Sequence, residues 1–346
     1  MIKQRLQLVL ACFLLAIMLI SGCRDDLREI RAYMLLDFGR FFPPEREQRL
    51  IEKAGFLYAL GYREESAGPY QVRIIPDQLY DLEHNLLLDI YLPAGVGSPR
   101  PVVFLIHGGG WQYFTKVAVS GMGRLLASHG FAAVGVNYRL SSRAIWPAQL
   151  DDLEAAISWL AAHRKLFGLD LDRFAVLGDS AGAHLAAMLA LTGHSAATVK
   201  AVVAYYGVYD LRPLASEQLD EAAINPINQL LGVPPGDLDT ACRLASPVHY
   251  VTEHSPPFLL IHGTADTLVP VTQSETMAAR LKEKGAEVET AYVDHADHLL
   301  LSVRGLNTAT LIKIDQLTID FLKRKLQAGA LPGESEIPNA ETVKRR

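Results

Sequence analysis

Short apolar segments alternate with longer amphipathic segments along most of the chain after Tyr70. Apolar runs of this length are typical of strands that are buried on both faces of a parallel sheet. They predict strands at Val72–Ile75, Leu86–Leu92, Val102–Ile106, Phe131–Val136, Phe174–Leu177, Val199–Tyr205, Phe258–Ile261 and Val288–Val293.

The segments between these strands have the spacing of amphipathic helices. They predict one helix whose apolar face is formed by Leu150, Leu153, Ile157 and Leu160, and three further helices at Ala181–Leu191, Thr272–Lys284 and Leu306–Leu326. Gly285 directly after the third helix is a typical helix stop. Regular alternation of strands and helices predicts an α/β fold for residues 70–327, with a mostly parallel central sheet covered by helices on both faces.

The N-terminus has the pattern of an export signal. Lys3 and Arg5 precede an apolar run at Leu8–Ile20, which is shorter than the roughly 20 residues that span a bilayer. The run leads into Ser21-Gly22-Cys23, which resembles a bacterial lipobox. This resemblance implies a signal peptide at residues 1–22, lipidation of Cys23 and a membrane-anchored protein on the periplasmic or cell-surface side. An uncleaved signal anchor with an incidental cysteine is the alternative.

The remaining parts of the chain are less patterned. We interpret residues 23–69 as an N-terminal extension, because Phe41-Phe42-Pro43-Pro44 interrupts any long helix. The segment at 328–346 is rich in Gly, Pro and Glu and is interpreted as a flexible tail.

Composition excludes several classes of function. A net charge of −5 without a dense Lys/Arg cluster gives no indication of nucleic-acid binding. Three cysteines cannot form a disulfide scaffold, and no His/Cys spacing indicates a metal site. We expect no metal and no organic cofactor, and the sequence implies no protein partner.

Gly178-Asp179-Ser180-Ala181-Gly182 is a G-x-S-x-G motif between a predicted strand and a predicted helix. In that setting a sharp turn raises the serine hydroxyl above the edge of the sheet, and the flanking glycines avoid contact with neighbouring elements. Ser180 is therefore the candidate nucleophile.

His107-Gly108-Gly109-Gly110-Trp111 follows the strand that ends at Ile106. A glycine-rich loop at this place exposes N–H groups that can stabilise an oxyanion during acyl transfer. The predicted donors are the N–H groups of Gly109, Gly110 and Ala181. We expect His107 to brace the loop. Trp111 and Tyr113 either line the substrate pocket or simply pack the loop.

An acid and a histidine should follow the serine in that order. Asp266 comes just after the strand at Phe258–Ile261, whereas its rival Asp210 lacks a comparable strand-turn setting. The last strand is followed by two histidines, His295 and His298. We favour His298, because the longer loop allows its side chain to reach the serine.

These motifs together resemble the α/β-hydrolase superfamily, and within it the esterases of the hormone-sensitive-lipase and feruloyl-esterase-like (BD-FAE) type. The matching segments are HGGGW, GDSAGAHLA, Ala245-Ser246-Pro247 and HGTADTLVP, within about Tyr70 to Leu326. The resemblance also implies His298 as the catalytic histidine and a framework role for His184. The N-terminal extension and the segment Arg212–Gly236 depart from the family pattern.

The resemblance implies an ester hydrolase that acts on a small-molecule or glycan ester through Ser180, His298 and Asp266. Two other hypotheses remain open. One is an amidase or formamidase of the same fold, and the other is a catalytically silent binding protein.

Overall fold

The computed structural model describes residues 67–95, 97, 99–193, 196–215, 225–300 and 308–326. The predicted signal peptide, Cys23, nearly all of the predicted extension at 23–69 and the predicted tail at 328–346 lie outside these residues. None of the helices in the described part of the chain combines the length and apolar character that crossing a membrane requires.

Eight strands form one sheet in the order β1-β2-β4-β3-β5-β6-β7-β8 within the described residues. The first two neighbouring pairs, β1/β2 and β2/β4, are antiparallel, and all others are parallel. The strands are β1 (Val72–Asp81), β2 (Leu86–Pro93), β3 (Arg100–Ile106), β4 (Ala132–Val136), β5 (Leu169–Asp179), β6 (Val199–Tyr205), β7 (Phe258–Gly263) and β8 (Val288–Val293). The prediction of a mostly parallel α/β sheet is confirmed.

The described helices cover both faces of the sheet. They are α1 (Ser120–Ser128), α2 (Ala148–Phe167), α3 (Ala181–Thr192), α4 (Leu211–Ala215), α5 (Pro226–Leu231), α6 (Leu238–Leu244), α7 (Thr272–Glu283) and α8 (Thr308–Leu326). One apolar core contains side chains of α2, α3 and α7, and the other contains side chains of α1 and α8.

Alternate residues of the central strands enter these two cores. In β3, Val102, Phe104 and Ile106 face one core, and Val103 and Leu105 face the other. Successive side chains of a strand point to opposite faces, so a strand between two helical layers must be apolar at every position. This is the physical origin of the continuous apolar runs in the sequence.

The element boundaries differ from the predictions in a few places. β1 continues to Asp81 and β5 begins already at Leu169. Their additional residues include polar and partly exposed side chains, so they form no apolar run that the sequence pattern could reveal. The predicted third helix ends at Glu283, one residue earlier than expected. The helix α1 was not predicted at all.

The parallel strands direct several loops to one edge of the sheet. β3, β5, β6, β7 and β8 all run in the same direction, so their carboxyl ends meet there. The sequence motifs that contain the candidate catalytic residues and oxyanion donors follow four of these five ends. The fold therefore gathers them at a single edge.

Candidate active site

Ser180 lies on the sharp turn between β5 and α3. Its backbone has a φ of 51°, which is strained for a residue with a side chain. Its N–H donates to the carbonyl oxygen of Tyr205 at the end of β6, at 2.8 Å. The turn is thus fixed to the neighbouring strand, and the serine is held in the conformation that the G-x-S-x-G motif predicts.

The two glycines of this motif allow α3 to pack directly on the sheet. A β-carbon at Gly178 would lie 2.3 Å from the carbonyl oxygen of Gly182. A β-carbon at Gly182 would lie 2.1 Å from the carbonyl oxygen of Ile106. Both contacts are with backbone, which cannot move aside as a flexible side chain can. The close approach of α3 to the sheet, which the motif predicts, is therefore present.

His298 contacts both Ser180 and Asp266. Its Nε2 lies 3.0 Å from Ser180 Oγ, and its Nδ1 lies 2.7 Å from Asp266 Oδ2. A carboxylate can only accept, so Nδ1 carries the hydrogen of the neutral ring and Nε2 is left to accept from the serine hydroxyl. The structure thus brings together three residues that are far apart in the sequence, with the imidazole placed to take the serine proton.

The Asp266 carboxylate is buried and accepts hydrogen bonds at both oxygens. Oδ1 accepts from the N–H groups of Leu268 and Val269, each at 2.9 Å. Oδ2 accepts from His298 and from His262, the latter at 3.1 Å. Burial alone would raise the pKa of Asp266, but the hydrogen bonds from His262 and His298 outweigh it and hold that pKa well below its usual range. Asp266 is therefore ionised at neutral pH.

The two rival residues lie elsewhere. The Oδ1 atom of Asp210 accepts from the N–H of Arg212 at 3.1 Å rather than from His298. The His295 side chain is 82% exposed and pairs with Asp294 at 3.3 Å. The structure thus brings Asp266 and His298 to Ser180, and leaves Asp210 and His295 out of contact with it.

The glycine-rich loop after β3 passes beside the serine turn. The N–H of Gly108 donates to Asp179 Oδ1 at 3.0 Å. Gly109 and Gly110 have φ values of 103° and 60°, which glycine adopts readily. These conformations bend the loop sharply next to Ser180.

The N–H groups of the three predicted oxyanion donors have no acceptor in the part of the chain that the structure describes. Among the described residues, no protein group accepts a hydrogen bond from the N–H of Gly109, Gly110 or Ala181. Ala181 is the first residue of α3, where a helix leaves its N–H groups without an intrahelical acceptor and carries a partial positive charge. These N–H groups are therefore available to an anionic oxygen.

His107 braces this loop, as expected. Its Nδ1 donates to the carbonyl oxygen of Gly108 at 2.8 Å, and its ring stacks on Tyr138 with centroids 4.4 Å apart. Tyr138 Oη also donates to the carbonyl oxygen of His107 at 2.9 Å. Complete burial lowers the pKa of His107 to about 4, against the smaller opposing effect of the Gly108 bond. The neutral ring is a packing element.

Trp111 lies in the apolar core, with only 3% of its surface exposed. Its Nε1 donates to Nδ1 of His184 at 3.2 Å, and His184 Nε2 donates to the carbonyl oxygen of Ala245 at 2.7 Å. The buried His184 thus joins the glycine-rich loop to α3 and to the segment after α6. The burial of Trp111 and its bond to His184 favour a role in packing the loop over a role in lining the substrate pocket. Tyr113 is half-buried, and its role in the substrate pocket stays a prediction.

Two residues near the site were not singled out from the sequence. His262 is fully buried and contacts Asp266, whereas Tyr206 has its ring 4.7 Å from that of His298. Tyr206 directly follows β6, so its position after a parallel strand was a usable signal. His262 lies in the segment HGTADTLVP at the end of β7, so the same kind of signal was present, but its contact with Asp266 is shown only by the turn that follows β7.

One cluster in the described part of the chain brings potential metal ligands together. Asp81, His84 and Asp152 place their ligand atoms within 4.8 Å of one another. The guanidinium of Arg139 already occupies this cluster, at 2.7 Å from Asp152 and 3.2 Å from His84. This positive charge opposes a cation, so we interpret the cluster as an ion-pair network that holds the segment after β4 against α2.

The strand order, the serine turn and the glycine-rich loop define an α/β-hydrolase fold. A truncated carbohydrate esterase from gut microbiota has the same fold, with a TM-score of 0.62 and 24% identity, over 75% of this chain and 98% of that chain. The chain belongs to the BD-FAE family, whose model matches residues 88–281.

Two curated relatives are both from Mycobacterium tuberculosis. The probable carboxylic ester hydrolase LipM is 32% identical over 67% of this chain and 57% of its own length. The esterase LipQ is 34% identical over 63% of this chain and 56% of its own length. The chain therefore spans little more than half the length of these relatives.

Proposed function

We propose that the protein is a serine hydrolase that cleaves carboxylic esters of small molecules or glycans. The observation that carries this proposal is the contact of His298 with both Ser180 and Asp266, at 3.0 and 2.7 Å. Membership of the BD-FAE family and the names of LipM and LipQ support the same reaction class.

In the proposed reaction, His298 Nε2 takes the hydroxyl proton of Ser180 as Oγ attacks the ester carbonyl carbon. The ionised Asp266 stabilises the imidazolium that forms. His298 then gives this proton to the departing alcohol, which leaves an acyl group on Ser180. A water molecule gives a proton to His298 as its oxygen attacks the acyl carbon. His298 then returns this proton to Ser180 Oγ as the ester bond to the serine breaks, which releases the acid and the free serine.

During both steps the carbonyl oxygen becomes an anion. The N–H groups of Gly109, Gly110 and Ala181 would donate to it, and each donor of this kind is worth about 3 kcal/mol of barrier lowering. Two observations support this assignment: both glycines have positive φ values, and no acceptor among the described residues binds their N–H groups.

Matched p-nitrophenyl esters and p-nitroanilides of the same acyl groups test the reaction class. We expect saturable turnover of the esters and at least about 100-fold slower turnover of the anilides, because an amine is the poorer leaving group. Faster turnover of the anilides would favour the amidase hypothesis. A folded protein that turns over neither substrate would favour the silent binding protein.

We further propose that the chain is exported and anchored through a lipid on Cys23. The sequence supports this through Lys3, Arg5, the apolar run and the small residues before the cysteine. Metabolic labelling with a radioactive or alkyne fatty acid tests the proposal. Label should appear in the wild type and be absent from Cys23→Ala. An unlabelled wild type in the membrane fraction would indicate a signal anchor.

A further inference from the structure

His262 is a buried histidine that the proposed reaction does not use. It is the last residue but one of β7 and has no exposed surface. Its Nε2 lies 2.8 Å from the carbonyl oxygen of Val269 and 3.1 Å from Asp266 Oδ2, and its Nδ1 lies 2.7 Å from Ser274 Oγ. Both ring nitrogens are therefore engaged, and one of them contacts the acid of the active site.

These contacts define where the ring carries its hydrogen. The carbonyl oxygen of Val269 can only accept, so Nε2 of His262 is a donor. The same N–H is shared with Asp266 Oδ2. The hydroxyl of Ser274 can donate to Nδ1, which favours the tautomer with its hydrogen on Nε2. His262 is thus held as a donor to the carboxylate.

Two imidazoles share a single carboxylate oxygen. Asp266 Oδ2 accepts from His298 at 2.7 Å as well as from His262 at 3.1 Å. A second donor withdraws negative charge from the oxygen, so the oxygen stabilises an imidazolium at His298 less strongly than it would alone. The second donor also fixes the plane of the carboxylate, since Oδ1 is already held by two backbone N–H groups.

We propose that His262 is a positioning residue that holds Asp266 Oδ2 against His298 and reduces the negative charge that this oxygen presents to the imidazole. This inference rests on the proposed serine-hydrolase function. In the described part of the chain, the titratable or charged groups that face His298 are Asp266 from the loop after β7, Tyr206 from the end of β6 and the hydroxyl of Ser180 before α3. His262 reaches His298 through Asp266.

A matched pair of polar variants tests this role. The amide nitrogen of Gln in His262→Gln reaches the place of Nε2 and can still donate to Asp266. The shorter amide in His262→Asn reaches only the place of Nδ1, so it keeps the Ser274 contact and loses Asp266. The measurement is kcat/KM for a p-nitrophenyl ester from pH 4.5 to 9, with circular dichroism to verify folding.

Loss of the donor should leave more negative charge on Asp266 Oδ2, next to the His298 ring. The acidic limb of the kcat/KM profile should move up by about 0.5 to 1 pH unit in His262→Asn, the effect of one net hydrogen bond. It should return towards the wild-type position in His262→Gln. If His262→Asn does not fold, His262→Leu, which has a similar volume and no donor, repeats the measurement.

The outcomes separate this inference from the proposed function. An acidic limb that stays in place in a folded His262→Asn or His262→Leu protein, with or without a loss of rate, would overturn the role of His262 and leave the hydrolase intact. A wild type without ester turnover would instead overturn the proposed function itself.

Discussion

Replacing Asp266 by asparagine removes the charge of the carboxylate and keeps its shape. Asparagine has one oxygen and one NH₂ group where aspartate has two oxygens. The oxygen must stay at the place of Oδ1, because two backbone N–H groups donate there at 2.9 Å and cannot reverse their polarity. The NH₂ group then faces His298 Nδ1, which becomes an acceptor. The hydrogen of that ring moves to Nε2, where it points at Ser180.

This change of tautomer removes the general base. Nε2 can no longer accept the serine proton, and no ionised acid remains to stabilise an imidazolium. We expect kcat/KM for a p-nitrophenyl ester to fall by about 10³- to 10⁴-fold in Asp266→Asn. That loss corresponds to about 4 to 5.5 kcal/mol in the activation free energy, at about 1.36 kcal/mol per tenfold.

The rival acid provides the matched control. Asp210→Asn makes the same chemical change at a carboxylate that has no contact with His298, so its kcat/KM should stay within about threefold of the wild type. Both variants are compared at pH 8, with thermal unfolding to show that each is folded. A drop of less than tenfold in a folded Asp266→Asn protein, or a larger loss in Asp210→Asn, would refute the assignment of the acid.

Three other predictions follow from the same structure. His298→Ala should lower kcat/KM by at least about 10³-fold, whereas His295→Ala, at an exposed position, should leave it unchanged; equal losses would contradict the choice of histidine. Gly182→Ala should destabilise the protein by about 3 kcal/mol or more in chemical denaturation, because its β-carbon would lie 2.1 Å from a backbone oxygen, and Gly236→Ala, with open space around it, should not. Burial lowers the pKa of His184 to about 4. Between pH 6.5 and 4 this histidine is therefore protonated in the unfolded chain and neutral in the folded protein. The free energy of unfolding should therefore fall as the pH drops from 6.5 to 4. In His184→Gln, the dependence of this free energy on pH should be shallower by about 1.4 kcal/mol per pH unit.

The sheet was predictable because its strands are surrounded by apolar layers on both sides. A strand such as β3 must be apolar at every position under that condition, and this leaves a clear signal in the sequence. The ends of β1 and β5 gave no such signal. Their extra residues include acidic side chains, Asp77 and Asp81 in β1 and Asp170 and Asp172 in β5, which interrupt the apolar pattern.

The helix α1 was missed for a physical reason. Its sequence contains Gly121 and Gly123, and glycine lowers helix propensity by about 1 kcal/mol per residue. In the structure, a β-carbon at Gly123 would lie 2.7 Å from the ring of Tyr91. The glycine that weakens the local signal is needed for close packing of the helix on β2.

The position of Ser180, Asp266 and His298 at one edge could be predicted because each follows a parallel strand. The contacts that support these three residues could not be predicted from the sequence. Trp111 and His184 are joined by a hydrogen bond across 73 positions of the chain, and sequence spacing gives no information on such a pair. The sharing of Asp266 by two histidines depends likewise on the turn after β7, where the N–H groups of Leu268 and Val269 donate to Asp266 Oδ1.

A fluorophosphonate probe tests the central claim most directly, since it reacts only with a serine activated by its surroundings. Mass spectrometry of the digested protein should find the adduct on the peptide that contains Ser180, and Ser180→Ala should remain unlabelled. A folded wild type that never reacts, or an adduct that persists in Ser180→Ala, would contradict the assignment of this residue as the nucleophile.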